Sequence, residues 1–120
     1  MGNRACIVFF DHERVSPTVY LHWHGDYVPQ WLAELKTLMS TRLLDAPYAT
    51  ARFVGICHSR IPGNLSLGIE ANTFTLAHIQ RPAFLEMASP GNAGMVVVDT
   101  RDFTWRAFRG YLANQNGGNL

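Results

Sequence analysis

Two histidines separated by one residue, His22 and His24, are the residues whose types and spacing first suggest chemistry. If this segment is a β-strand, alternate side chains share one face, so both imidazoles project from the same side. That spacing occurs in metal sites built on sheets, and Asp26 or His58 could complete a ligand set. The alternative is a pair of hydrogen-bonded histidines at a sheet edge, which we favour. A metal-dependent hydrolase that uses His22 and His24 is therefore the least favoured of three functional hypotheses.

A second polar set combines His22 with aromatic hydroxyls and an arginine. Tyr20 shares the strand face of His22, whereas Tyr48 and Arg52 lie four residues apart on one side of a predicted helix. If these side chains converge, they form a pocket for a small anion or for a partner's carboxylate. The other interpretation, slightly favoured, is a buried hydrogen-bond network that joins the helix to the sheet. The candidate ligand- or partner-binding residues are therefore His22, His24, Tyr48 and Arg52.

Other reactive side chains do not predict an active site. Cys57 and His58 are adjacent on a predicted helix, so their side chains diverge by about 100°. The run Asp11-His12-Glu13 falls in a predicted hairpin loop, where solvated polar residues are expected. We predict no catalytic residues and no cofactor.

The strand that carries the histidines breaks at Gly25 and leads into an amphipathic helix. On its other face, Val19, Leu21 and Trp23 are predicted core residues. Asp26 is the expected cap of the helix, because its carboxylate can accept a free backbone N–H. The residues that recur at helical spacing form one apolar stripe: Trp31, Leu32, Leu35, Leu38 and Met39.

A second helix is predicted over residues 47–60, with Asp45 as its cap and with one stripe made of Ala51, Val54, His58 and Ile61. Residues 83–88 are expected to form one or two helical turns within an ordered excursion. The predicted strands are residues 6–10, 18–24, 65–69, 95–99 and 103–109.

The order ββααβ-x-ββ predicts an α+β domain, with a mainly antiparallel sheet of about five strands and two helices packed on it. The first strand is expected to be central or covered on both faces, because it lacks polar alternation. Hairpins are expected to join the first two strands and the last two strands. Residues 1–113 are predicted to be this single domain, and residues 114–120 a flexible C-terminal tail.

Composition excludes several classes of protein. A chain of 120 residues can bury a single core, and 48% hydrophobic content excludes wholesale disorder. The net charge of +1 disfavours nucleic acid as a partner, and no apolar run is long enough to cross a bilayer. Cys6 and Cys57 lie among apolar neighbours and are predicted to be buried free thiols in a reducing cytoplasm. A disulfide between them is the less favoured alternative.

Four segments carry further motifs: V-Y-L-H-W-H-G at 19–25, Y-x-x-A-R-F-V at 48–54, G-N-L-S-L-G-I at 63–69 and G-N-A-G-M-V-V-V-D at 91–99. In this order they resemble a family of small proteins encoded in tailed phages and prophages, with the signature Y-x-H-W-N-G-G. The likeness spans about residues 18–106. His24 and Asp26 stand where the family has Asn and Gly, so a role for His24 would be peculiar to this chain. The resemblance implies a phage accessory protein rather than a particular chemistry.

The resemblance, the small size and the lack of a catalytic set together predict a protein that acts by binding. The preferred hypothesis is an inhibitor of a host factor or of a bacterial defence protein, in the cytoplasm of the bacterial host. The second hypothesis is a binder of a small anionic or nucleotide-like ligand that uses His22 and Arg52. A sheet edge with exposed aromatic residues would also permit a homodimer.

Overall fold

A five-stranded mixed sheet forms the centre of the molecule, as seen in a computed structural model that describes residues 2–61, 63 and 65–118. The strands are β1 (Ala5–Phe10), β2 (Thr18–Leu21), β3 (Leu67–Glu70), β4 (Gly94–Asp99) and β5 (Thr104–Phe108). Their order across the sheet is β3-β2-β1-β4-β5. The two hairpins, β1–β2 and β4–β5, are antiparallel, as is β2–β3. The predicted α+β fold with a mainly antiparallel sheet is confirmed.

The central pair, β1 and β4, runs parallel, in a register that aligns Ala5 with Gly94 and Phe10 with Asp99. No local pattern in the sequence predicts this parallel pairing. Because β1 is the middle strand of the sheet, its side chains are covered on both faces. Its unbroken apolar run is typical of such a strand.

Two layers of helices cover the sheet. The helices are α1 (Val28–Leu38), α2 (Ala46–Arg60), α3 (Leu76–Ile79) and α4 (Pro82–Ala88). The predicted pair, α1 and α2, packs on one face, where Phe53 of α2 contacts Phe9 of β1. The opposite face packs Val8 and Val97 against α3 and α4. Helical turns at 83–88 are confirmed, whereas α3 was not predicted. None of the helices in the described residues is long and apolar enough to cross a bilayer.

The junction between β2 and α1 differs from the prediction. The strand ends at Leu21, and the chain then bends and forms a 3-10 helix over Gly25–Tyr27 before α1 begins. Since the alternation of faces stops where the strand stops, Trp23 does not reach the core, and the residue is 58% exposed. The predictions of a strand through His24 and of a buried Trp23 are wrong.

Gly25 is required at this junction by close packing. Its N–H donates to the Asn3 carbonyl oxygen at 2.7 Å, and a Cβ here would lie 2.2 Å from that oxygen. Asp26 is exposed inside the 3-10 helix and does not cap α1, whose N-cap residue is Tyr27. The cap prediction for Asp26 is therefore wrong, because the extra turn moves the start of the helix past it. The stripe of α1 is confirmed except at Leu38, which is exposed.

The second helix begins as predicted, but it buries another face. The Asp45 carboxylate accepts the Tyr48 N–H at 3.1 Å, which confirms the cap. Ala49, Phe53 and Ile56 point into the core. Of the predicted stripe, Ala51 and His58 are exposed, Val54 is half-buried, and Ile61 is buried just beyond the helix. Two series of residues fit helical spacing here, one through Phe53 and one through Val54. The predicted stripe, through Val54, is not the one that faces the core.

A 3-10 helix spans Tyr111–Gly118 and overlaps the segment predicted to be a flexible tail. Leu112 is buried in the main core and its N–H donates to the Ala93 carbonyl oxygen at 3.1 Å. Residues 119 and 120 lie outside the described residues. The flexibility of 114–120 stays a prediction.

Candidate functional site

The two histidines have separate hydrogen-bond partners. His22 Nδ1 lies 3.1 Å from the Tyr20 hydroxyl oxygen, and His24 Nδ1 lies 3.0 Å from Ser66 Oγ. Within the described residues, no three or more His, Cys, Asp or Glu side chains are grouped so as to hold a metal ion. The geometry therefore gives no support to a hydrolase built on His22, His24 and Asp26.

The histidines instead belong to an exposed cluster of rings. His22 meets Trp23 edge to face, with ring centroids 4.3 Å apart. His24 and Tyr27 both stack near Trp31, and the Tyr27 and Trp31 planes differ by 14°. Trp31 is buried, so it anchors His24 and Tyr27 to the core. We name His22, Trp23, His24 and Tyr27 the aromatic surface.

A concavity of about 350 Å³ adjoins the aromatic surface at the edge of the sheet. We name it the edge pocket; Tyr20, Trp23, Leu65 and Gly68 are among the residues that line it. Gly68 pairs with Tyr20 across the strands, and a Cβ at Gly68 would meet no atom within 4 Å. The Leu65 side chain is fully exposed beside it. Since β3 is the last strand on this side, an unpaired strand edge borders the pocket.

Tyr48 and Arg52 do not join His22. They line a different concavity, of about 460 Å³, on the exposed face of α2. The Arg42 guanidinium carbon lies 3.9 Å from the centroid of the Tyr48 ring. Because Tyr48 and Arg52 are exposed, they form neither the predicted pocket with His22 nor the alternative buried network. Their role as binding residues stays a prediction.

A further groove, which the sequence did not predict, lies where the parallel strands β1 and β4 end. Two concavities of about 410 and 230 Å³ share Phe10, Gln80, Asp99 and Arg101 among their lining residues. We name them together the β1/β4 groove. After β1 the chain turns to one side of the sheet, and after β4 it turns to the other. The hairpin loops that follow β1 and β4 therefore diverge at the carboxyl ends of the two parallel strands, and the groove lies there.

Asp11, which lines the larger concavity, has its carboxylate hydrogen-bonded within the protein. Its buried carboxylate accepts backbone N–H groups from Glu13, Arg14 and Ala46 at 2.8, 2.7 and 3.0 Å. Burial alone raises the pKa of Asp11, but these donors and the charge of Arg14 outweigh it, so the net pKa is lowered. The prediction of a solvated loop holds for His12 and Glu13, which are exposed, and is wrong for Asp11.

Of the charged side chains that line the smaller concavity, Asp99 and Arg101 form an ion pair and Arg106 does not. Arg101 Nη2 donates to Asp99 Oδ2 at 2.8 Å. Arg106 has no ion pair with any described residue, and its Nε is buried without a hydrogen-bond acceptor. An unsatisfied buried donor costs about 1–3 kcal/mol, and more when it is charged. The Arg106 guanidinium carbon lies 5.0 Å from the Phe108 ring centroid, which stabilises the charge but provides no acceptor.

The sequence carried a weak signal for this groove. Asp11 and Asp99 each follow or end an apolar strand, and Arg106 interrupts the aromatic run of the last strand. Only the parallel pairing of β1 with β4 brings these positions to one edge, and nothing local in the sequence indicates that pairing.

Comparisons with models of protein families, with curated proteins and with solved structures found no match to this chain. The resemblance to small phage and prophage proteins therefore stays a prediction that rests on its four segments.

Proposed function

We propose that the protein acts by binding an extended segment of a partner protein along the β3 edge, with a partner side chain in the edge pocket. The observation that carries this proposal is the exposed Trp23 indole beside an unpaired strand edge. An extended peptide can add a strand to such an edge, so that main-chain hydrogen bonds give affinity and pockets give specificity.

The composition of the surface supports the proposal. Trp and Tyr are enriched among the residues that dominate binding energy, and Trp23, Tyr27 and Leu65 are all exposed here. Ile69, on β3 itself, is 57% exposed. The edge-to-face contact of Trp23 with His22 and the stacking of Tyr27 on Trp31 hold these rings in place before a partner arrives. Rigid anchors lose little entropy on binding, which favours affinity.

The class of partner rests on the resemblance to phage proteins. A phage accessory protein without a catalytic set most simply acts on a protein of its bacterial host. We therefore propose a host factor or a component of a bacterial defence system as the partner, and inhibition of that protein as the consequence of binding.

Immobilised protein and bacterial lysate provide the test. Trp23→Ala removes the anchor, and Gly68→Val adds a side chain at the edge pocket, where its Cβ has open space. Leu38→Ala is the matched control, since Leu38 is as exposed as Trp23 but lies on α1. We expect a protein that the wild type and Leu38→Ala retain and that both edge variants release. With the purified partner, Trp23→Ala should weaken binding about 30-fold, a typical effect for an anchor residue.

Two results would overturn the proposal. One is that no captured protein distinguishes the edge variants from Leu38→Ala. The other is that light scattering finds a wild-type dimer which Trp23→Ala converts to a monomer. In that case the β3 edge belongs to a second copy of the chain, and the foreign partner is excluded from it.

A further inference from the structure

We infer that the β1/β4 groove binds a small molecule that carries one oxyanion, a carboxylate or a phosphate, beside an apolar body. This site is separate from the proposed partner surface. In the antiparallel β1–β2 pair, the end of β2 that leads to Trp23 lies beside Ala5, at the start of β1. The groove lies at the other end of β1, beyond Phe10.

Arg106 is the residue that indicates a bound ligand. Its Nε is closed off from solvent and has no acceptor, although buried polar groups in folded proteins are nearly always hydrogen-bonded. The Phe108 ring, 5.0 Å from the guanidinium carbon, provides no acceptor for the N–H donors, which lie in the guanidinium plane. An acceptor in that plane is missing. Nε itself is closed off, so a carboxylate or phosphate oxygen would be bound through the Nη groups of Arg106, which is half-buried and lines the smaller concavity. The planar fork of donors matches both groups.

The charge of the concavity favours one negative group. Among the residues that line the smaller concavity, Asp99 and Arg101 neutralise each other as an ion pair. Arg106 then leaves one uncompensated positive charge in the concavity. Gln80, at the end of α3, lines both concavities and adds an amide that can donate to the same anion.

The larger concavity supplies room for an apolar body next to the anion. Phe10, Leu44 and Leu76 line it, together with the Cβ of Ala77. Its volume of about 410 Å³ lies in the range of small-molecule sites, which combine apolar walls with a few polar groups that orient the ligand. The two concavities meet at Phe10 and Gln80, so head and body can be bound together.

Four probes test the inference: inorganic phosphate, acetate, phenyl phosphate and benzoate. They are titrated into ¹⁵N-labelled wild-type protein at low ionic strength, and amide shifts are followed. We expect saturable shifts at Gln80, Arg101 and Arg106 with benzoate or phenyl phosphate, and binding at least tenfold weaker for acetate and phosphate. Whichever aromatic probe binds more tightly assigns the head group as carboxylate or phosphate.

The variants separate Arg106 from general charge. Arg106→Gln should weaken binding at least tenfold, and Arg106→Lys should weaken it less, because lysine keeps the charge but lacks the fork. Arg109→Gln is the matched control: it removes the same charge from an exposed position outside the groove, and binding should not change. Trp23→Ala should also bind normally, so this inference stands or falls apart from the proposed partner surface.

The inference is overturned if none of the four probes saturates, if wild-type shifts map outside the groove, or if Arg106→Gln binds as the wild type does. Equal affinity for acetate and benzoate would remove the apolar body from the assignment. If Arg106→Gln does not fold, the wild-type shift map and Arg106→Lys decide the question on their own.

Discussion

The Asp11 carboxylate accepts the backbone N–H of Ala46 at 3.0 Å and so joins the loop after β1 to the first residue of α2. The same carboxylate accepts two N–H groups of its own loop. A negative group at the start of a helix also interacts favourably with the helix dipole. Asp11 therefore sets both the shape of the loop and the position of the helix that packs Phe53 against the sheet.

We expect Asp11→Ala to lower the free energy of unfolding by about 3 kcal/mol, because three backbone donors lose a charged acceptor and one of them is buried. Urea unfolding followed by circular dichroism measures this. Asp26→Ala is the control, since Asp26 is exposed and caps no helix, and its effect should stay within about 0.5 kcal/mol. Equal stability of the two variants would show that the Asp11 contacts are dispensable.

The stability of the wild type should also fall in acid in a way that depends on Asp11. Its pKa in the folded protein is lower than in the unfolded chain, so the unfolded chain binds the proton first. The stabilisation is complete above the unfolded pKa, near 4, and disappears as the pH falls through the folded pKa. Asp11→Asn should flatten the acid limb of a plot of unfolding free energy against pH. An unchanged acid limb would contradict the assignment.

Trp23 should be the tryptophan that solvent quenchers reach. Trp31 is buried and Trp105 is half-buried, whereas more than half of Trp23 is exposed. In acrylamide titrations, Trp23→Phe should lose most of the quenchable fluorescence, and Trp31→Phe should keep it. The melting temperature of Trp23→Phe should stay close to that of the wild type. If strong quenching persists in Trp23→Phe, the Trp23 indole is buried and the placement described above is wrong.

Arg52→Ala distinguishes a structural role of Arg52 from a surface role. The Arg52 side chain is exposed and makes no hydrogen bond or ion pair with any described residue, so its loss should change the unfolding free energy by less than about 0.5 kcal/mol. Phe53→Ala, at the next position, should cost about 3–5 kcal/mol because it empties a core site. A drop of many degrees in the melting temperature of Arg52→Ala would instead support a buried hydrogen-bond network around Arg52.

Both thiols should be slow to react in the folded protein. Burial raises the pKa of Cys57 to about 12, and burial together with the charge of Glu70 raises the pKa of Cys6 to about 11. At pH 8 the reactive thiolate is therefore scarce at both positions. With Ellman's reagent we expect a slow phase from the half-buried Cys6 and a slower one from Cys57, and rapid reaction of both in guanidinium chloride. Fast reaction of either thiol in the native state would contradict this.

The sequence was sufficient where the signal is local. The Asp45 cap, the apolar stripe of α1 and the hairpins at β1–β2 and β4–β5 follow from residues that lie close together in the chain. The errors arise where a local pattern has two solutions. In α2, the series through Phe53 and the series through Val54 both fit helical spacing, and packing against β1 selects the first.

The prediction for the end of β2 is wrong for a related reason. Alternation predicts Trp23 on the core side only while the strand continues, and the contact of Gly25 with Asn3 ends the strand early. The β1/β4 groove could not be predicted from the sequence, since Asp99 and Phe10 meet only through a pairing between distant segments. In the sequence, Arg106 looks like an ordinary polar residue of an alternating strand, and only its position in the groove shows that its charge is unpaired.

The parallel neighbour of β1 also governs how the chain can be made. While a ribosome extends the polypeptide, the most apolar strand has one flank open until residues 94–99 emerge. Closing so long a loop is slow, and an open apolar flank promotes aggregation meanwhile. A premature stop before Gly94 would therefore yield an aggregation-prone product rather than a smaller working domain.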